Sequence, residues 1–180
     1  MNQIKLLILD VDGVLTDGRK YYDNSGNVVL KKFCDKDWTA IKLFKVIGVN
    51  VVLLTGDSFN KFIENKRGIK TFVNRNKAEH IDKSEYLSKF LKSYNVSKDE
   101  VCFVGDDIFD IGLMKKLKYS FCPSDSPKIV KENCYVLNNS GGENIVFSLL
   151  ETLVDKNLVQ PYNYDNIIDS LYKEDNRDIF

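Results

Sequence analysis

This chain of 180 residues lacks several features that would point to particular partners or compartments. It has no excess of either charge, since Lys+Arg and Asp+Glu both number 26. A balanced charge removes the electrostatic reason to expect nucleic acid or an anionic membrane surface as a partner. No apolar run approaches the roughly 18 residues that cross a bilayer, so no membrane partner is expected either. The first apolar run stops at Asp10, too soon for a signal peptide. Cysteine is sparse and unpatterned: Cys34, Cys102, Cys122 and Cys134 form no C-x-x-C. Reduced thiols and a cytoplasmic location are the expectation, with Cys102, inside an apolar run, in the core. The single histidine, His80, reads as a solvated residue at a helix start. No internal repeat and no second domain are visible.

What is present suits one globular domain. At this length, 43% hydrophobic and 29% charged residues allow a proper core under a soluble surface. Residues 4–9, 49–54, 70–73 and 101–104 are continuous apolar runs, with weaker ones at 119–121 and 134–137. Continuous runs, as opposed to alternation, predict parallel strands covered on both faces. Helical patterns lie between them at 38–47, 59–67, 79–94, 108–117, 126–132 and 143–154, the first two ending at Gly48 and Gly68. Strand–helix alternation predicts an α/β domain with a doubly wound, mostly parallel sheet. One piece breaks the alternation: residues 19–33 read as a β-hairpin turning at Asn24-Ser25-Gly26-Asn27. Residues 1–156 are taken as the domain, and the polar stretch 157–180 as a partly ordered tail.

In such sheets, ligands bind beyond the carboxyl ends of the strands. Asp10 and Asp12 follow the first strand, in LLILDVDGVLTDG. Thr55-Gly56 follows the second, and Gly105-Asp106-Asp107 the fourth. Any one of these could be a helix cap or a turn. Three in phase point to one crevice. Carboxylates gathered there call for a cation, and oxygen ligands suit Mg²⁺. Histidine and cysteine are absent from the clusters, which argues against zinc.

DVDGVLTDG, LLTGD, Lys83 and VGDDIFD, in that order, resemble the four motifs of the haloacid dehalogenase (HAD) phosphatases. The D-x-D-G-V-L-T-D-G form, the hairpin after it and DKDWTAIKLFK are similar to the capless subfamily that includes 3-deoxy-D-manno-octulosonate 8-phosphate phosphatase. The resemblance spans about residues 4–154. It implies Asp10 as the nucleophile that accepts the phosphoryl group, and Asp12 as the acid/base. It implies Thr55, Gly56 and Lys83 as holders of the phosphoryl oxygens, and Asp10, Asp12 (through its carbonyl) and Asp106 as contacts of a Mg²⁺ ion. Asp107 would orient metal-bound water or Lys83, with Asp110 a weaker candidate behind them. Lys83 has the family's spacing to Gly105; Lys77 does not.

The match departs from the family at two places. Asp57 stands where relatives often carry arginine after T-G, and Trp38 stands where they often carry glycine after Asp37. An arginine there would suit a sugar-acid carboxylate; with Asp57 in its place, a nonulosonate (sialic-acid-like) 9-phosphate or another phosphosugar is an alternative substrate to the octulosonate. Trp38 would narrow the pocket or simply pack. The rivals to a phosphatase are a receiver domain, which would place its acidic pair after the first strand, and an inactive HAD module kept for oligomerisation. The resemblance also implies a homotetramer assembled through the hairpins, each subunit helping to close its neighbour's site.

Overall fold

The apolar runs become the strands of one central sheet. The computed structural model describes residues 3–75 and 79–176. In chain order its elements are β1 (Leu6–Leu9), β2 (Tyr21–Tyr22), β3 (Val28–Leu30), α1 (Asp35–Val46), β4 (Asn50–Thr55), α2 (Phe62–Arg67), β5 (Thr71–Val73), α3 (Tyr86–Tyr94), β6 (Val101–Val104), α4 (Ile111–Met114), β7 (Tyr119–Cys122), α5 (Lys128–Lys131), β8 (Tyr135–Val136), α6 (Ile145–Asp155) and α7 (Tyr164–Asp175). The main sheet runs β5-β4-β1-β6-β7-β8, and every pairing in it is parallel.

β1 sits inside the sheet and all four of its residues are fully buried. Their side chains alternate between two cores, as a period of two requires. Leu7 and Leu9 pack with Phe44 of α1 and with Leu149 and Leu153 of α6. Leu6 and Ile8 pack with Phe90 of α3 and with Leu113 and Met114 of α4. The expected cover on both faces is therefore present. α1 carries Asp35 and Asp37 in its first turn, favourable to the helix dipole. Gly48 follows its end at φ 85°, a conformation that costs other residues dearly.

Several predicted helices come out shorter. The stretch from 79 becomes helical only at a 3-10 turn, Lys83–Glu85, because the Asp82 carboxylate accepts the Ser84 amide and caps the element there. The stretch from 108 opens as a 3-10 turn, Ile108–Asp110, before the single-turn helix α4.

The hairpin β2–β3 forms as expected. Asp23 tightens its turn by accepting the amides of Ser25 and Asn27, and Gly26 takes φ 80°. Tyr21, Tyr22, Val29 and Leu30 are each more than half exposed. Among the described residues, only this hairpin and α1 lie between β1 and β4, so no cap domain is present. Where the sequence predicts a partly ordered tail, residues 164–175 form α7; residues 177–180 lie outside the described ones. α7 docks on the body through Ile167 and Leu171, with Tyr162 of the preceding segment beside them, and Lys42 of α1 pairs with Asp175. Among the described residues, no helix is long and apolar enough to cross a membrane.

Candidate active site

Three strand ends meet at one edge of the sheet. The Asp10 amide donates to the Val104 carbonyl at 2.9 Å, so Asp10 continues the β1–β6 ladder by one step. Its carboxylate is then fixed from two sides. Oδ1 accepts the Val11 amide at 2.6 Å, and Oδ2 pairs with Lys83 Nζ at 2.7 Å. The loop after it is drawn in by Thr16, whose hydroxyl oxygen accepts the amides of Gly13 and Gly18. Gly13, at φ +83°, lies so close to Asp106 that a Cβ would overlap its carboxylate.

The loop after β6 folds around Asp110. This residue is fully buried. Its Oδ2 accepts the amides of Asp106 and Asp107 at 2.9 and 3.0 Å, and its Oδ1 meets Lys83 Nζ at 2.6 Å. Gly105 makes this possible, since a Cβ there would come within 2.5 Å of the Asp110 carboxylate. Lys83 thus meets Asp110, not Asp107; the Asp107 carboxylate accepts the Ile108 amide. At the end of β4, Thr55 Oγ1 accepts the Asn60 side-chain amide at 2.8 Å and the Asp57 amide at 3.2 Å. Its own proton is left to donate.

All the predicted site residues line or border one cleft of about 270 Å³, which holds Asp10, Asp12, Thr55, Gly56, Lys83, Asp106, Asp107 and Asp110. Lys77, the rival to Lys83, lies outside the described residues. The electrostatics are strained in a way that a cation would relieve. Burial raises the Asp10 carboxyl to about 7, against the pull of Lys83. Burial, followed by the charges of Asp10 and Asp110, raises Asp106 to about 8. Burial works against the charge of Lys83 too, but Asp10 and Asp110 hold it above the ordinary lysine value. Carboxylate oxygens of Asp10, Asp106 and Asp110 lie within 4.8 Å of one another. Both oxygens of Asp110 already have partners, whereas the buried Asp106 Oδ1 has none. An all-oxygen set with an unpartnered buried oxygen fits a hard divalent cation.

The Asp12 carboxylate stands apart from that cluster, tied to Lys31 at 2.7 Å and to Asn60 Nδ2 at 3.0 Å. Sequence reasoning missed Lys31 and Asn60, along with Lys20 and Arg75, which line the cleft. A lysine in Lys31-Lys32 and an asparagine in a polar turn carry no local signal; only the fold turns them inward. His80, expected as a solvated residue, is exposed at the cleft rim, its ring 5.0 Å from that of Phe109. Asp57 pairs with Lys20 at 2.7 Å and Lys31 at 2.9 Å. Burial would raise its pKa, but these two lysines hold it well below the usual carboxylate range. Trp38 does not line the cleft. It is buried in the core against Phe33, with Arg67 over its ring.

Residues 57–150 match the family model described as haloacid dehalogenase-like hydrolase. The chain is 31% identical over 152 residues to the 3-deoxy-D-manno-octulosonate 8-phosphate phosphatase KdsC of Salmonella typhi, covering 84% of this chain and 79% of that protein. The chain belongs to the haloacid dehalogenase-like hydrolases. The KdsC of Haemophilus influenzae is likewise 31% identical, covering 79% of this chain and 78% of its own. Among solved structures, the cobalt-bound deoxy-D-mannose-octulosonate 8-phosphate phosphatase of Haemophilus influenzae superposes with a TM-score of 0.76 at 27% identity, covering 85% of this chain and 88% of that one. The phosphatase of Yersinia pestis gives 0.74 at 25%, covering 86% and 83%. As a haloacid dehalogenase-like hydrolase with these relatives, the protein is a phosphomonoesterase.

Proposed function

We propose that this phosphatase is Mg²⁺-dependent and hydrolyses a phosphorylated sugar acid, 3-deoxy-D-manno-octulosonate 8-phosphate foremost, through an aspartyl phosphate on Asp10. The observation that carries this reading is the pairing of Asp10 with the buried Lys83 beside the unpartnered oxygen of Asp106. In the first displacement an Asp10 oxygen bonds to phosphorus while the bond to the sugar oxygen breaks. Asp12 gives its proton to that leaving oxygen. In the second, Asp12 takes a proton from water as the water oxygen bonds to phosphorus, releasing phosphate and restoring Asp10. The Thr55 hydroxyl, the Gly56 amide and the Lys83 ammonium hold the phosphoryl oxygens. Asp10 and Asp106 carboxylates and the Asp12 carbonyl would hold Mg²⁺, which when bound balances the charge of those oxygens.

A sugar-acid substrate is supported by Arg75. Its guanidinium lies against Gly56 in the cleft, donates to the Gly56 carbonyl and pairs with no carboxylate among the described residues. A second reading, a nonulosonate 9-phosphate, carries the same carboxylate, which Arg75 would suit equally. An inactive oligomerisation module would have no use for the assembled set. The four free cysteines are in keeping with the cytoplasm. The exposed apolar hairpin supports a homotetramer, because a two-stranded hairpin alone is marginal in water. Ranking kcat/KM over a panel of octulosonate, nonulosonate and neutral sugar phosphates tests the substrate class. A neutral sugar phosphate at the head of that ranking would overturn it.

A further inference from the structure

Lys31 follows β3 directly, on a hairpin most of whose residues are exposed. Its own side chain is fully buried. An ammonium has three protons to donate, and here each has an acceptor. Nζ lies 2.7 and 2.9 Å from the two oxygens of Asp12, 2.9 Å from Asp57 Oδ2 and 2.8 Å from Asn60 Oδ1. Asn60 is itself fully buried, and its other end donates to Asp12 Oδ2 and to Thr55 Oγ1. A lysine withdrawn from water is tolerated only when its charge is matched and its donors are used. Asp12 alone would have to match both Lys31 and the neighbouring Lys20. Asp57 supplies the second negative charge, bonding both lysines. An arginine at position 57 would sit beside Lys31 as a like charge.

We propose that Lys31 is a positioning residue. With Asn60 it fixes the Asp12 carboxylate in the orientation from which it exchanges a proton with the leaving oxygen, and Asp57 is the counter-charge that keeps Lys31 in place. This rests on the acid/base role proposed for Asp12. Lys31 keeps its own protons throughout. Its place on the hairpin makes it the link through which a displaced hairpin reaches the chemistry.

A lysine that merely pinned the hairpin would affect all substrates alike, so the test compares leaving groups. p-Nitrophenolate departs without a proton, whereas a sugar alkoxide needs one. kcat/KM covers only the steps up to release of the leaving group, so it leaves out hydrolysis of the aspartyl phosphate, in which Asp12 serves both substrates alike. In the full-length protein with saturating Mg²⁺, Lys31→Met should lower kcat/KM for a sugar phosphate by about tenfold more than for p-nitrophenyl phosphate. Lys31→Arg should recover part of that selective loss. Asp57→Asn keeps the shape and removes the counter-charge; it should show the same selectivity in smaller degree, and carries the comparison if Lys31→Met does not fold. Equal losses on both substrates, with wild type active on both, would overturn the positioning role alone. A wild-type protein inactive on both would overturn the phosphatase mechanism and this role with it.

Discussion

At the scale of single residues, the site is a set of buried charges that need one another. Lys83 is almost fully buried between Asp10 and Asp110. Lys83→Met should destabilise the fold by about 3 kcal/mol, because it strands two buried carboxylates, and should abolish turnover. Urea unfolding measures the first effect; a stability within error of wild type would contradict the pairing. The pH response follows from the carboxyls. Asp10 at about 7 and Asp106 at about 8 both lie above their unfolded value of 3.8. Their contribution to metal-free stability is therefore complete below that value and is lost as pH rises through 7 and 8. Without metal, the melting temperature should fall between about pH 6 and pH 8. Mg²⁺ takes the place of the protons, so it should raise the melting temperature more at the upper end of that range. Asp106→Asn should remove most of that rise. Thermal melts in EDTA and in Mg²⁺ check this, and a Mg²⁺ effect larger at the acid end would contradict it.

At the scale of elements, the sequence was legible where local chemistry decides. Continuous apolar runs announced buried parallel strands, and Asp10, Thr55 and Asp106 fell at strand ends because the strand boundaries were readable. Lys31 and Asn60 were not legible, since their burial depends on a hairpin and a 3-10 turn meeting in space. α7 was missed for a related reason. Its sequence, YDNIIDSLYKED, is polar on balance, and its apolar face has meaning only against α1. Ile167 and Leu171 form that face. Replacing both with alanine should cost about 2 kcal/mol, given their partial burial. Urea unfolding reads this as well, and no loss would mean that α7 adds nothing to the body.

At the scale of the whole molecule, a cleft without a cap stands beside an exposed apolar hairpin. In the proposed tetramer a second copy of the chain would cover the hairpin and help close the cleft. Leu30→Glu should break the proposed tetramer, and light scattering should then give a mass near the 20.7 kDa of one chain. A wild-type protein already at that mass would rule the tetramer out. The central claim concerns chemistry at Asp10 with a divalent cation, and phosphate release from 3-deoxy-D-manno-octulosonate 8-phosphate tests it most directly. Wild type and Asp10→Asn should be measured side by side, with Mg²⁺ and with EDTA. Release is expected only from wild type with Mg²⁺, with Asp10→Asn lower by about three orders of magnitude or more. Release by Asp10→Asn at a rate near wild type, or release undiminished in EDTA, would contradict it.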